Sequence, residues 1–188
     1  MSRTVHLMRH GEPEGAGRMI GHSDPPVTPA GIAACLAAAA AAGLTPMAIV
    51  ASDLARARAC AEAIGAPPGL TVASDARWRE LDFGAWDGLH PRDLDHGALA
   101  RFWADPDTAP PPGGERWSAL TARVGAAIPT LADGTLVVTH AGAIRAALAV
   151  LCGFDTRQIW AFALPYAAIV TLRIWPDEPT AAQIVRLA

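Results

Sequence analysis

The chain has 188 residues, of which 52% are hydrophobic and 18% charged, with a formal net charge of −3. Those values suit one globular domain with its own core, and exclude both a disordered chain and a basic nucleic-acid-binding face. All 15 basic residues are arginine, which excludes chemistries that need a lysine: P-loop NTPase, protein kinase, Schiff base and pyridoxal phosphate.

Thr4 to Met8 reads as a buried strand that runs into Arg9-His10-Gly11. Strand C-termini are where open α/β sheets keep their sites. Arginine offers a fixed fork for an anion, a neutral histidine can act as nucleophile or base, and glycine permits close backbone approach. Glu12 to Pro26 is a Gly- and Pro-rich loop. Thr28-Pro29 signals a helix start, and the Ala37–Ala42 run should end at Gly43. Met47 to Ala51 reads as a strand, followed by a helix from Leu54 to about Ile64 capped by Ser52-Asp53 and ended by Gly65.

Leu70 to Ala73 is a brief strand, and Arg77 to Gly88 an irregular loop. A helix is expected over Arg92 to Ala104, with Leu94, Leu99, Phe102 and Trp103 on its apolar side. Asp105 to Gly114 is a proline-rich break, and residues 89–114 read as an insertion over the active-site edge of the domain spanning 1–188. Trp117 to Leu131 has helical spacing through Leu120, Val124 and Ile128. Thr135 to Thr139 is a strand, Ala143 to Leu151 a helix closed by Gly153, and Ile169 to Ile174 and Ile184 to Leu187 are strands. Alternation of strand and helix at this spacing predicts an α/β fold, a three-layer α/β/α sandwich with a mostly parallel sheet.

The stretch Leu136 to Gly142 repeats the layout of the opening: an apolar strand, then His140, a small residue and a glycine where a helix begins. If the two strands are neighbours, His10 and His140 share one sheet edge. The helix start at Gly142 favours an anion, and the segment after a third strand brings Arg56 to the same edge. Two histidines, two arginines and a helix N-terminus make a pocket for a dianion, most simply a phosphate.

The pieces Arg9-His10-Gly11, Ser52 to Ala57, Glu80 to Trp86 and Thr139 to Gly142 stand in an order that resembles the histidine phosphatase superfamily, whose fold is that of cofactor-dependent phosphoglycerate mutase. The resemblance implies that His10 takes the phosphoryl group and that Arg9, Arg56 and His140 clamp the phosphate. It makes Glu80 the acid that protonates the leaving oxygen and later helps water attack. Gly11, Gly21, His22, Ala141 and Gly142 complete the expected substrate-binding set. The run Glu80 to Trp86, the residues His90 to Leu94 and the Pro112 to Glu115 segment most resemble α-ribazole-5′-phosphate phosphatases of cobalamin biosynthesis. A mutase or a broad-specificity sugar phosphatase is the alternative, and a non-catalytic phospholigand-binding module ranks lower because Glu80 is present. Where relatives carry asparagine this chain has Ala16, in a loop that looks shortened.

No cofactor and no metal are expected. His6 and His10 lie four apart on one strand but have no carboxylates in sequence reach, so His6 reads as a buried strand histidine or as the group that orients His10. Trp78, Trp86, Trp103 and Trp117 read mainly as packing residues, with stacking on a flat ring as the alternative. Arg58 and Arg145 read as surface ion-pair formers. Cys35, Cys60 and Cys152 are odd in number and far apart, which argues against disulfides. No signal-peptide pattern precedes Arg9, and Ala33–Ala42 is too short to span a membrane. The expected partner of a soluble, cytoplasmic protein is then a small phosphorylated metabolite, with no nucleic acid or membrane, and a homodimer as the candidate assembly.

Overall fold

A computed structural model describes residues 1–176 and 181–188. The strands are β1 (Arg3–Arg9), β2 (Ala48–Ala51), β3 (Val72–Ser74), β4 (Thr135–Thr139), β5 (Ile169–Trp175) and β6 (Ala181–Leu187). The helices are α1 (Pro29–Ala41), α2 (Ala55–Gly65), α3 (His96–Ala104), α4 (Trp117–Ala127), α5 (Ala141–Cys152) and α6 (Thr156–Trp160). The six strands form one sheet in the order β3-β2-β4-β1-β5-β6. β1 to β4 run parallel, whereas β5 and β6 are antiparallel additions at one edge.

Side-chain alternation along each strand sets the layers. Val5, Leu7 and Val137 pack on one face against α4 and α5 through Leu120, Val124, Ile144 and Leu148. Met8, Leu136 and Val138 face the other way, onto α1 and α2 through Cys35, Ala39, Cys60 and Ala61. All five residues of β4 are buried, as expected of a parallel strand covered on both faces.

Several boundaries differ from the sequence expectation, each with a local cause. The Thr28 hydroxyl caps α1, accepting Gly31 N–H at 3.0 Å, as read from sequence. Asp53 does not cap α2. Asp24, from the loop before α1, accepts Ala55 N–H at 2.7 Å, and Asp53 instead forms a two-pronged pair with Arg79 at 2.8 and 2.5 Å. The helix expected from Arg92 begins only at His96, because Asp95 caps it by accepting Ala98 N–H and Pro91 holds the preceding residues in a 3₁₀ turn. α4 stops at Ala127, ahead of a 3₁₀ turn holding Pro129, whose ring cannot continue an α-helix. The Arg77–Gly88 loop contains two short 3₁₀ turns. The short α6, closed by a capping box between Asp155 and Gln158, was not expected from sequence. No helix of the described residues is long and apolar enough to cross a membrane.

Candidate active site

The parallel pairing of β1 with β4 places Arg9 beside Thr139, and His10 N–H donates to Thr139 O at 2.8 Å. His10 and His140 therefore leave adjacent strands together, and their rings meet edge to face with centroids 5.0 Å apart. β2 lies on the other side of β4, so Ser52 at its end sits 2.9 Å from His140 Nε2 through its hydroxyl. The convergence inferred from the two strand-histidine motifs thus follows from sheet order.

His10 is buried, 4% exposed, and its Nδ1 lies 2.7 Å from Gly11 O. A carbonyl can only accept, so Nδ1 carries the hydrogen and Nε2 keeps its lone pair. Burial, then the Arg56 guanidinium, then Arg9 push the His10 pKa down to about 3. The ring is neutral at pH 7, as a nucleophile must be. His140 is wholly buried, and burial together with Arg56, His10, Arg9 and Arg123 holds its pKa well below the ordinary value.

The arginines are placed differently from one another. Arg56 is fully buried behind His10, but its fork is engaged: Nη1 donates to Ser23 O at 2.8 Å and Nη2 to Gly21 O at 2.7 Å. It pins the loop over residues 20–24 and leaves Nε free. Arg9 donates to Leu164 O at 2.7 Å while its guanidinium stacks 3.9 Å from the centre of the Tyr166 ring. Tyr166, the only tyrosine in the chain, also lies 5.6 Å from the His10 ring. It is presented by a turn in which Ala167 takes φ +63°, a conformation costly for a residue with a Cβ.

Among the described residues, seven buried side-chain nitrogens have no hydrogen-bond partner. Five belong to this region: Arg9 Nε, Arg56 Nε, His140 Nδ1, Arg145 Nε and Trp160 Nε1. Buried donors are ordinarily satisfied, and such a set around one histidine is matched by a ligand rich in acceptor oxygens.

Glu80 faces the cavity with its carboxylate at the start of α5. Oε1 accepts Leu81 N–H at 2.8 Å and Oε2 accepts Gly142 N–H at 3.2 Å. The helix-start amide expected to meet a phosphate is thus held by Glu80. A Cβ on Gly142 would stand 2.0 Å from Glu80 Oε1, so only glycine at 142 admits the carboxylate.

The cavity in front of His10 encloses about 210 Å³. Arg9, His10, Glu80, Ala141 and Gly142 line it together with Tyr166, Arg18 and Arg145, whereas Arg56 and His140 do not. Phe83, Phe102, Trp103, Trp117 and Trp160 form its outer wall. Trp103 and Trp117 therefore face the cavity, while Trp78 is sealed in the core. Arg145 corrects the surface ion-pair reading: it lies 4.6 Å over the Trp160 ring and donates to Phe162 O, with no carboxylate partner among the described residues. Arg58 does pair with Glu62 on the surface.

Three expected contact residues serve the backbone instead. A Cβ on Gly11 would lie 2.1 Å from Gly31 O, and one on Gly21 2.6 Å from Leu81 O, so both glycines permit chain crossings. His22 does not line the cavity; its Nε2 donates to Glu80 O at 3.0 Å. His6 does not orient His10: its ring meets the Thr171 hydroxyl at 2.9 Å, and Gly11 O orients His10. Ala16 does not line the cavity; Arg18, Met19 and Ile20 from the same loop do. Sequence reasoning missed Arg18, Tyr166 and Trp160, and the lone tyrosine was the one signal available for any of them.

A family model described as the histidine phosphatase superfamily (branch 1) matches residues 5–186. The chain is 36% identical over 127 residues to glucosyl-3-phosphoglycerate phosphatase of Mycobacterium tuberculosis, covering 65% of this chain and 57% of that protein. It therefore spans little more than half the length of that relative. It is 30% identical over 167 residues to adenosylcobalamin/alpha-ribazole phosphatase of Salmonella typhimurium, covering 83% of each. A solved structure of the mycobacterial glucosyl-3-phosphoglycerate phosphatase superposes with a TM-score of 0.84 at 28% identity, over 98% of both chains.

Proposed function

The chain belongs to the histidine phosphatase superfamily, and from that premise we propose that it hydrolyses phosphomonoesters of small metabolites through a phosphohistidine on His10. The observation that carries this reading is the neutral His10 ring, its Nε2 lone pair free, set among unpartnered buried donor nitrogens.

In the first step His10 Nε2 attacks phosphorus and the phosphorus–oxygen bond to the leaving group breaks. Glu80 delivers a proton to that oxygen, so an alcohol departs. In the second step water attacks the phosphohistidine, Glu80 takes up a proton from the water, and phosphate leaves with His10 regenerated. The transition state is loose and spreads negative charge over the phosphoryl oxygens. Arg9, Arg56 and His140 meet that charge with fixed donors, and fixed donors need little reorganisation during transfer. Arg9, His10, Arg56, His140 and Ala141 contact substrate, Gly142 holds Glu80 through its N–H, and Gly11, Gly21 and His22 shape the backbone around the site.

For the leaving group, the aromatic outer wall favours a flat, unsaturated ring, so α-ribazole 5′-phosphate is the lead substrate. The relative from Salmonella typhimurium that carries such a name supports this choice. A second reading rests on Arg18 and Arg145, which line the same cavity and, among the described residues, donate to the backbone carbonyls of Gly88 and Phe162 rather than to a carboxylate. They suit an anionic leaving group such as a phosphoglycerate sugar conjugate. The whole chain acts as one unit, with residues 89–114 as the insertion that closes the cavity through Phe102, Trp103 and Pro106. Steady-state kcat/KM on a panel of phosphomonoesters holding both kinds of substrate tests the assignment. A decisive preference for either class selects it, and activity on neither removes both.

A further inference from the structure

Arg123 lies on α4, outside the cavity, yet all five of its guanidinium hydrogens are engaged. Nε and Nη2 form a two-pronged pair with Glu115 at 2.7 and 2.8 Å. Nη1 donates to Arg77 O and to Arg79 O, both at 2.8 Å, and Nη2 donates to Glu80 O at 2.8 Å. The pair is mostly shielded, with side-chain exposures of 21% for Arg123 and 14% for Glu115.

The carbonyls of residues 77, 79 and 80 therefore converge on one planar cation. Neighbouring groups hold the rest of the segment. Thr139 donates its hydroxyl to Trp78 O at 2.6 Å, and His22 reaches the same Glu80 O from another direction at 3.0 Å. Glu115 in turn clasps the residue beyond, its N–H donating to Asp82 O at 2.9 Å. No regular secondary structure spans residues 79–83, so these bonds take the place of a ladder in fixing where Glu80 begins. A carboxyl that must meet a leaving oxygen needs that placement to within a fraction of an ångström.

We infer that Arg123, neutralised by Glu115, is the positioning residue for Glu80: it sets the main chain from which the carboxyl reaches Gly142 N–H and the leaving oxygen. The inference rests on the proposed role of Glu80 as the acid. Lysine cannot replace arginine here, because the three donors of an ammonium cannot address five acceptor oxygens.

The test measures kcat/KM, which reports the first phosphoryl transfer, for p-nitrophenyl phosphate and for β-glycerol phosphate. The former leaves without protonation; the latter needs the acid. Arg123→Gln and Arg123→Lys should lower β-glycerol phosphate turnover about 30- to 100-fold while p-nitrophenyl phosphate changes less than about threefold, since a misplaced catalytic group costs on the order of 10². Glu80→Gln should show the same selectivity, and the double variant Glu80→Gln/Arg123→Gln should lose little more. Equal losses on both substrates in the Arg123 variants, beside a selective Glu80→Gln, would overturn the positioning role and spare the acid. An unselective Glu80→Gln would instead remove the acid assignment and this inference with it. If the Arg123 variants fail to fold, Glu115→Gln keeps the shape of the pair, and an unchanged selectivity there also overturns the inference.

Discussion

The rings of His10 and His140 stand edge to face at 5.0 Å, at the ends of two neighbouring parallel strands. Neither ring readily takes up a second proton: burial and nearby guanidiniums hold both pKa values down, that of His10 to about 3.

This pairing ties acid stability to the site. In the unfolded chain both histidines take a proton near pH 6.5, whereas the folded rings stay neutral, so the unfolded state binds more protons as pH falls and stability is lost. Between pH 6.5 and about 4 the loss should approach about 1.4 kcal/mol per pH unit for His10, and His140 adds a loss of the same sign. Denaturant midpoints at pH 7.5, 6 and 5 check this. His10→Gln should flatten the profile, and inorganic phosphate should offset the loss in the parent protein.

Gly142→Ala separates activity from folding. The added Cβ stands 2.0 Å from Glu80 Oε1, so the carboxylate must leave the helix start. Turnover of β-glycerol phosphate should fall about 100-fold, in the range lost with a general acid. The melting temperature should hold, because alanine suits a helix better than glycine. Thermal melting and kcat/KM on the same sample decide the point.

Gly11→Ala has the opposite signature. Its Cβ would meet the Gly31 carbonyl at 2.1 Å, and neither backbone can yield without moving β1 or α1. A loss of about 3 kcal/mol in denaturant stability is expected, read from the urea midpoint. The KM of the fraction that folds should change little.

Trp103→Ala probes the outer wall. For a phosphomonoester with a flat aromatic leaving group, KM should rise about tenfold, the scale of one lost aromatic stack. For β-glycerol phosphate it should barely move. Equal effects on the two KM values would reassign Trp103 to packing.

EDTA should leave turnover unchanged. Among the described residues, the charged side chains lining the cavity are three arginines and one glutamate, a set that repels a divalent cation and favours an anion. Loss of activity in EDTA, restored by Mg²⁺ or Zn²⁺, would contradict the mechanism.

Sheet-edge chemistry was legible in the sequence because it rides on strand ends. An apolar run followed by a histidine and a glycine fixes both the element and the point where its side chain emerges, so Arg9, His10 and His140 could be placed from two short motifs. The same logic failed for caps and walls. Asp53 looked like the cap of α2, but Asp24 holds that position from 31 residues away, and no local pattern encodes such a contact. Arg145 sits on a helix one turn beyond a motif and looked exposed; α6, a five-residue helix too short to show a period, brings Trp160 over it. Arg123 was invisible for a related reason, since its partners are carbonyl groups of a loop and carry no side-chain signature.

The most direct test of the account is trapping with alkaline detergent during turnover of a ³²P-labelled phosphomonoester. It predicts label on the parent protein that survives alkali, is lost in acid, maps to His10 and is absent from His10→Ala, which should show only background turnover. Turnover at the parent rate in His10→Ala, or label held on another residue, would contradict it.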